Sequence, residues 1–175
     1  SYGTHENYQV SRDVPFLDFV KFLTPFFVTR CVFAGAGRVG LGQENLQPGF
    51  QISQRADFFE AEVGLETTLR RPIINTRDEP HANPDLHRRL HVIIGDANLS
   101  HRMTYLKMGT TAIVLSMIEA GFLKLDFELY DSVTSMHLVS HDYKFETKQR
   151  LRDGSEMSAL EIQKHYQKSA VEFLA

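Results

Sequence analysis

The sequence predicts an α+β domain built on a mostly antiparallel sheet, with one polar face and helices packed on the other side. Three observations carry this reading. Residues 4–10, 50–55, 73–77 and 90–94 alternate apolar and polar side chains with the period of two that a strand imposes. Residues 13–33, 100–120 and 159–174 carry helical start signals or helical apolar spacing. The two kinds of segment are mixed without the strict alternation of a parallel α/β fold. At 175 residues and 42% hydrophobic content the chain is the size of one domain and can bury a core.

The elements follow in order. Residues 1–11 read as a strand in which His5, Asn7 and Gln9 oppose Thr4, Glu6, Tyr8 and Val10. Residues 13–23 read as a short helix, with Asp13 near the cap and Pro15 in the first turn. Thr24-Pro25 then restarts a helix to about Phe33, because proline suits the first helical position. Phe16, Phe19, Phe22, Phe26, Phe27 and Cys31 are assigned to the core. Residues 35–49, GAGRVGLGQENLQPG, form a glycine-rich loop, and residues 50–55 a strand in which Gln51, Ser53 and Arg55 oppose Phe50, Ile52 and Gln54. One or two helical turns are expected within 56–70. Strands at 72–76 and 90–95 flank a polar connection that contains Pro80 and Pro84. Residues 100–120 form a helix whose apolar surface includes Met103, Leu106, Ile113, Leu115 and Ile118, with Gly121 as its stop. Short strands are expected within 122–150, then a turn at Arg152-Asp153-Gly154. Ser158 and Glu161 make a capping box that opens a final helix at 159–174.

Composition excludes several classes. The 19 basic and 22 acidic residues are interspersed and leave a net charge of −3, so nothing global points to nucleic acid or an anionic membrane. No apolar run approaches the ~18 residues of a membrane span. The single cysteine, Cys31, has no internal partner, which fits a reducing cytoplasm. The first residues, SYGTHENY, lack the basic-then-apolar order of a signal peptide and open in a strand, so the chain is expected to begin inside a larger protein.

The chemistry is expected on the polar faces of the four strands, each of which offers a His or an Arg and none of which carries a Lys. A solvated sheet face is the plain alternative. His5, with Glu6 and Asn7, offers metal or nucleotide ligands, and an oxygen-and-imidazole shell suits Mg2+ or Mn2+; a hydrogen-bonded structural histidine is the alternative. His91 lies on the face opposite Leu90, Val92 and Ile94, where it can meet an anion or a metal. Arg55 and Arg77 are phosphate clamps or else partners of Asp57, Asp78 or Glu79. Asp96 or Asn98 either reaches a ligand or, with Ser100, caps the following helix. Two familiar patterns fail on context. Gly35-Ala36-Gly37-Arg38-Val39-Gly40 matches the dinucleotide fingerprint but follows a helix and precedes a loop. His87 and His91 have zinc-helix spacing but fall in a β-branched segment.

Six blocks in order, SYGTHENY, LTPFFVTR, GAGRVG, GFQISQRADF, RPIINTRDEPHA and RRLHVIIGDANLS, resemble the Pup-processing family of carboxylate–amine ligases, and the match is strongest over residues 1–122. THENY and TPFFVTR resemble the depupylase branch more than its ligase sister. The resemblance implies a glutamine-synthetase-like fold in which the concave face of the sheet cradles ATP (or ADP and phosphate) and Mg2+. It implies that His5 and Asn7 lie at the metal–nucleotide site and that Arg55 and Arg77 act on nucleotide phosphates or the substrate carboxyl. It further implies a metal position for His91 and a phosphate-region role for Arg89.

The implied reaction is hydrolysis of the isopeptide bond between the C-terminal Glu side chain of Pup and a substrate lysine, with deamidation of a C-terminal Gln of Pup at the same site. The implied partners are Pup, pupylated proteins and the remaining parts of a longer protein. The family's N-terminal portion, which carries metal-binding glutamates and a catalytic Asp, has no counterpart in this sequence, nor has its C-terminal portion. Residues 1–175 are thus expected to be the central portion of one catalytic domain, with residues 123–175 a hairpin-like segment and a C-terminal helix. The chain alone is expected to be inactive. The ligase sister, and a non-catalytic module that binds Pup or nucleotide, are the alternatives.

Overall fold

Alternation along the first strand fixes how everything else packs. The computed structural model describes residues 2–40, 49–79 and 81–175. Ser1, Pro80 and the middle of the glycine-rich loop, including Pro48, lie outside the described residues. The elements are β1 (Gly3–Ser11), α1 (Phe16–Thr29), α2 (Cys31–Ala34), β2 (Arg38–Gly40), β3 (Gly49–Gln51), β4 (Phe59–Gly64), β5 (Arg71–Asn75), β6 (His87–Asp96), α3 (His101–Glu119), α4 (Ser132–His141), β7 (Lys148–Arg150), β8 (Glu156–Ser158) and α5 (Ala159–Leu174). The main sheet has the order β1-β6-β5-β4. Its β1–β6 and β5–β6 pairings are antiparallel and its β4–β5 pairing is parallel, so the sheet is mixed. Two small antiparallel ribbons, β2–β3 and β7–β8, lie outside it.

One face of this sheet is covered by helices. Val10, Leu90 and Val92 from the strands join Phe19, Leu23, Phe26 and Phe27 of α1 and Val114, Leu115, Met117 and Ile118 of α3 in a single buried cluster. Among the described residues no helix is long and apolar enough to cross a membrane.

Four expectations are corrected. The helix at the first phenylalanine cluster does not restart at Pro25; α1 runs unbroken from Phe16 with Pro25 inside it. Burial of Phe26, Phe27 and Val28 against the core outweighs the one backbone bond proline removes, and Thr29 Oγ1 donates to the Pro25 carbonyl at 2.7 Å. The strand at 50–55 stops at Gln51. The Ser53 hydroxyl accepts from the backbone N–H groups of Arg55 and Ala56, and the Asp96 carboxylate accepts from that of Gln54, which turns the chain into a 3₁₀ helix at Ala56–Phe58. Of the helical turns expected within 56–70, Ala56–Phe58 forms one as a 3₁₀ helix, and the chain then continues as β4 at Phe59–Gly64 instead of a further helical turn. Residues 132–141, read within a strand region, form α4, because Asp131 accepts from the Thr134 N–H at 3.0 Å and caps a first turn. The capping box of Ser158 and Glu161 stands as expected at the start of α5.

Beneath the helix-covered face lies a buried ion pair. Arg30, just past α1, donates to both carboxylate oxygens of Glu6, at 2.9 and 2.7 Å. Its Nη1 also donates to Thr111 Oγ1 of α3 at 2.8 Å, and the Tyr8 hydroxyl donates to Glu6 at 2.6 Å. Gly95 makes this possible: a Cβ there would stand 2.5 Å from Glu6 Oε1. Lys107 of α3 completes the layer by donating to the Asp96 carbonyl at 2.7 Å. Removing one partner of a buried, hydrogen-bonded ion pair strands the other charge, so Glu6→Ala is expected to cost about 3–5 kcal/mol. Urea unfolding checks this as a lowered midpoint at unchanged slope.

Candidate functional site

Because Glu6, Tyr8 and Val10 point toward the helices, His5, Asn7 and Gln9 point away from them and are exposed. The register sets Asn7 and Asn75 opposite His91 from either side, and Gln9 opposite Arg89. A bulge between Thr4 and Glu6, opposite Gly95 and Val92, puts one extra residue in β6 and brings His5 over His91. His5 Nδ1 lies 3.3 Å from His91 Nε2, and the rings meet edge to face with centroids 5.2 Å apart.

The two imidazoles differ in surroundings but not in charge preference. His5 is exposed, whereas His91 is 8% exposed and its Nδ1 is buried without a hydrogen-bond partner. Desolvation lowers the pKa of His5, and the guanidinium groups of Arg55 and Arg71 lower it further. Burial likewise lowers that of His91, followed by Arg89, His5 and Arg77, against the opposing carboxylate of Glu79. Both rings are therefore neutral at pH 7, the form in which imidazole can ligate a cation. Among the described residues no group of three His, Cys, Asp or Glu side chains could hold a metal ion.

Guanidinium groups flank the imidazoles. Arg55 sits in the turn before the 3₁₀ helix, and its side chain runs over Gly3, where any Cβ would collide with it. It packs on the ring of Phe59 at 5.7 Å. Among the described residues it has no carboxylate partner, and its Nε is buried without a hydrogen bond. The neighbouring Asp57 is engaged elsewhere, with Arg38 Nη2 at 2.8 Å, Gln51 Nε2 at 2.6 Å and His141 at 3.4 Å. For Arg55 the ion-pair alternative thus fails. For Arg77 it holds: the residue lies just past β5, is about half exposed, and pairs with Glu79 at 3.2 Å, while Arg89 reaches the same carboxylate at 3.3 Å. Asp78 is taken by Arg12 at 2.9 Å and Arg88 at 3.7 Å.

All six sequence-predicted residues thus surround one cationic patch. His5, Asn7, Arg89 and His91 share a face through register, with Arg55 near Gly3 and Arg77 on the His91 side. Asp96 and Asn98 stand apart from it. The Asp96 carboxylate accepts from the N–H groups of Ala36 and Gln54, both at 2.9 Å, and from Ser53 Oγ at 2.9 Å; Asn98 donates to the Ala34 carbonyl at 3.0 Å. Both pin the adjoining loops. Nor does the side chain of Ser100 cap α3. Arg71, the first residue of β5, was not singled out by sequence reasoning. The available signal was that residues 67–77, TTLRRPIINTR, contain no acid to neutralise it.

Comparison with known proteins bears on this geometry. The Pup-ligase protein family matches residues 1–175. A depupylase from Acidothermus cellulolyticus is 59% identical over 174 residues, which cover 99% of this chain and 35% of that protein. A Pup deamidase/depupylase from Mycolicibacterium smegmatis is 55% identical over 166 residues, covering 95% of this chain and 33% of that protein. A Pup–protein ligase from Corynebacterium jeikeium is 48% identical over 180 residues, covering 100% and 38%. The solved structure of the Pup ligase PafA in complex with ADP superimposes with a TM-score of 0.88 at 43% identity, over 99% of this chain and 38% of that one. The α+β, glutamine-synthetase-like architecture expected from the sequence is the one observed. The chain spans about a third of the length of the curated relatives it matches.

The imidazole pair predicts its own titration. Since both folded-state pKa values lie below the ordinary 6.5, the unfolded chain takes up protons first as the pH falls through that value, and stability declines until the folded-state values are passed. In the metal-free protein, NMR titration of His5 and His91 is expected to give midpoints below 6.5 for both.

Proposed function

Because the chain belongs to the Pup-ligase protein family, we propose that it is the central catalytic portion of an ATP- and Mg2+-dependent depupylase and Pup deamidase. Its partners in this reading are Pup, pupylated proteins and the rest of its own longer protein, and its compartment is the cytoplasm, where a single unpaired cysteine is at home. Identity favours this branch: 59% and 55% to depupylases against 48% and 44% to Pup–protein ligases. The observation that carries the site is the 3.3 Å contact of His5 with His91 beside Arg55, which among the described residues has no carboxylate ion pair.

When bound, the nucleotide and the divalent cation supply phosphoryl oxygens and Lewis acidity. His5 and His91 are the residues that would hold the cation, each offering an unprotonated nitrogen. Arg55, held on Phe59 and short of hydrogen bonds, presents positive charge to a phosphoryl group or to a developing oxyanion. Arg77 and Arg89 share the exposed Glu79, a weak and screened pairing that an incoming anion displaces at little cost. Asn7 stands across from His91 in register and borders the nucleotide position. The acidic groups that activate water are assigned to the remaining parts of the protein, because the patch formed here is cationic and completes no three-ligand cluster among the described residues.

The ligase reading is the second, favoured by the superposition on ADP-bound PafA. Incubating the full-length protein with Pup ending in Gln separates the two. Release of ammonia without stoichiometric ATP consumption marks the depupylase, whereas ATP-consuming conjugation with no ammonia marks the ligase. Loss of both activities, with Pup or nucleotide still bound, marks a binding module. In the full-length protein, His91→Ala is expected to abolish the Mg2+-dependent part of nucleotide binding, read by calorimetry with and without the cation. Arg77→Ala is expected to weaken nucleotide binding about tenfold. The isolated 175-residue chain is expected to show no isopeptidase turnover.

A further inference from the structure

We infer that the cleft between α1 and the edge strand β4 is a second binding site, one that takes a primary alkyl ammonium of the kind a lysine side chain carries. The cleft has a volume of about 430 Å³, within the range of small-ligand sites, and none of its lining residues belongs to the cationic patch. Leu129, Ser132 and Arg152 complete its wall. Its charges do not cancel. Lys21 is shared between Asp126 at 3.6 Å and Glu128 at 3.7 Å, and Arg152 takes Glu128 at 3.0 Å. Both cations of the cleft are thus matched. Asp18 and Glu62 also line it, and among the described residues neither has a cationic partner.

Acceptors deeper in the wall point to a ligand independently of the acids. Thr24 is 4% exposed, and its hydroxyl is buried without a hydrogen-bond partner. Helical periodicity sets Thr24 on the same face of α1 as Leu17, Val20 and Lys21, so its side chain is directed toward the cleft that all four line. Burying a hydroxyl without a partner is unfavourable, and a bound donor relieves that cost. Pro25, also in the wall, has no N–H, so the Lys21 carbonyl lacks its regular helical donor. Ser132 Oγ donates to Glu62 Oε2 at 2.7 Å, which orients the carboxylate and leaves Oε1 open among the described residues. Carboxylate, hydroxyl and carbonyl are all acceptors, and an ammonium brings three donors with a positive charge. An anion would meet Asp18 and Glu62 with both cations already engaged. Val20, Val63 and Leu129 supply an apolar wall for the methylene stem of such a ligand. Two sources carry that group, a free alkyl amine and a lysine of a protein chain.

Calorimetry on the full-length protein tests this with n-butylamine, Nα-acetyl-lysine amide and Nα-acetyl-norleucine amide, the last of which keeps the apolar stem without the ammonium. The two amines are expected to bind and the norleucine compound is not. Butylamine that binds as tightly as the lysine compound assigns the cleft to a free amine; tighter binding of the lysine compound assigns it to a protein lysine, and either result supports the site. Asp18→Asn and Glu62→Gln are each expected to weaken amine binding about tenfold. Thr24→Val is expected to weaken it as well while leaving the unfolding temperature unchanged or higher, because it removes an unpartnered hydroxyl at nearly constant shape. Should a buried variant unfold, Asp18→Asn decides, since Asp18 is exposed in the first turn of α1. No amine binding by the wild type, equal binding of the norleucine compound, or unchanged amine affinity in Asp18→Asn overturns the inference, and none of these outcomes touches the nucleotide reading.

Discussion

The whole arrangement depends on burying one carboxylate. Glu6 sits in the middle of a strand with period-two geometry, and Arg30, Thr111 and Tyr8 hold it on the helix side of the sheet. Once Glu6 points inward, His5 and Asn7 must point outward. A slip of one residue would bury the histidine and expose the acid. Three elements meet at this pair, the end of α1, the middle of α3 and β1, so it also sets how far the helices stand from the strands. Desolvating two ions is unfavourable on its own, and the geometry here is of the kind that repays it: a bidentate fork, every oxygen engaged, and a glycine that clears the space. Its contribution is better understood as specifying register than as adding stability.

On the opposite face the same economy of carboxylates shapes the cationic patch. Asp57, Asp78 and Glu79 lie close in sequence to Arg55 and Arg77, and sequence proximity predicts that they neutralise both. The fold allots them differently. Asp57 turns to Arg38 and the His141 ring, because the 3₁₀ turn at Ala56–Phe58 rotates it away from Arg55. Glu79 stays with Arg77 in a solvent-exposed pair worth little. Among the described residues one arginine is thereby left without an ion-pair partner and another is loosely held, and burial first, then the same positive field, lowers the pKa of both imidazoles.

How much of this was legible in the sequence follows from what each signal measures. Alternation in 4–10 and 90–94 reports local geometry, so β1, β6 and the outward direction of His5 and His91 could be read directly. The glutamate that enforces the direction could not: Glu6 was grouped with the inward residues, but nothing local identifies Arg30, 24 residues on, as its partner. Alternation in 50–55 misled, because Asp96, 42 residues beyond Gln54, takes that backbone donor and ends the strand. Arg55 still reached the site, carried by a turn instead of a strand. Likewise α4 was missed where Asp131, an N-cap residue, stood ahead of a run that packs Met136 and Val139 into the core. Long-range side-chain capture of backbone groups, invisible to any window, accounts for the strand that stopped short.

The electrostatics of the patch also constrain the order in which ligands can be held. Two neutral imidazoles contribute no negative charge, while Arg55, Arg71, Arg77 and Arg89 all act on them with positive potential. A divalent cation approaching this surface alone meets repulsion and finds two donors. A phosphoryl dianion meets attraction, cancels the field of the guanidinium groups and adds oxygen donors of the kind that Mg2+ prefers. Anion and cation are therefore expected to bind with positive coupling, and the coupling is reciprocal: whatever the phosphate does for the affinity of the metal, the metal does equally for that of the phosphate. In the proposed reading, the part of the site carried by this chain is the part that would recognise phosphate, and its histidines would become metal ligands once that phosphate is in place.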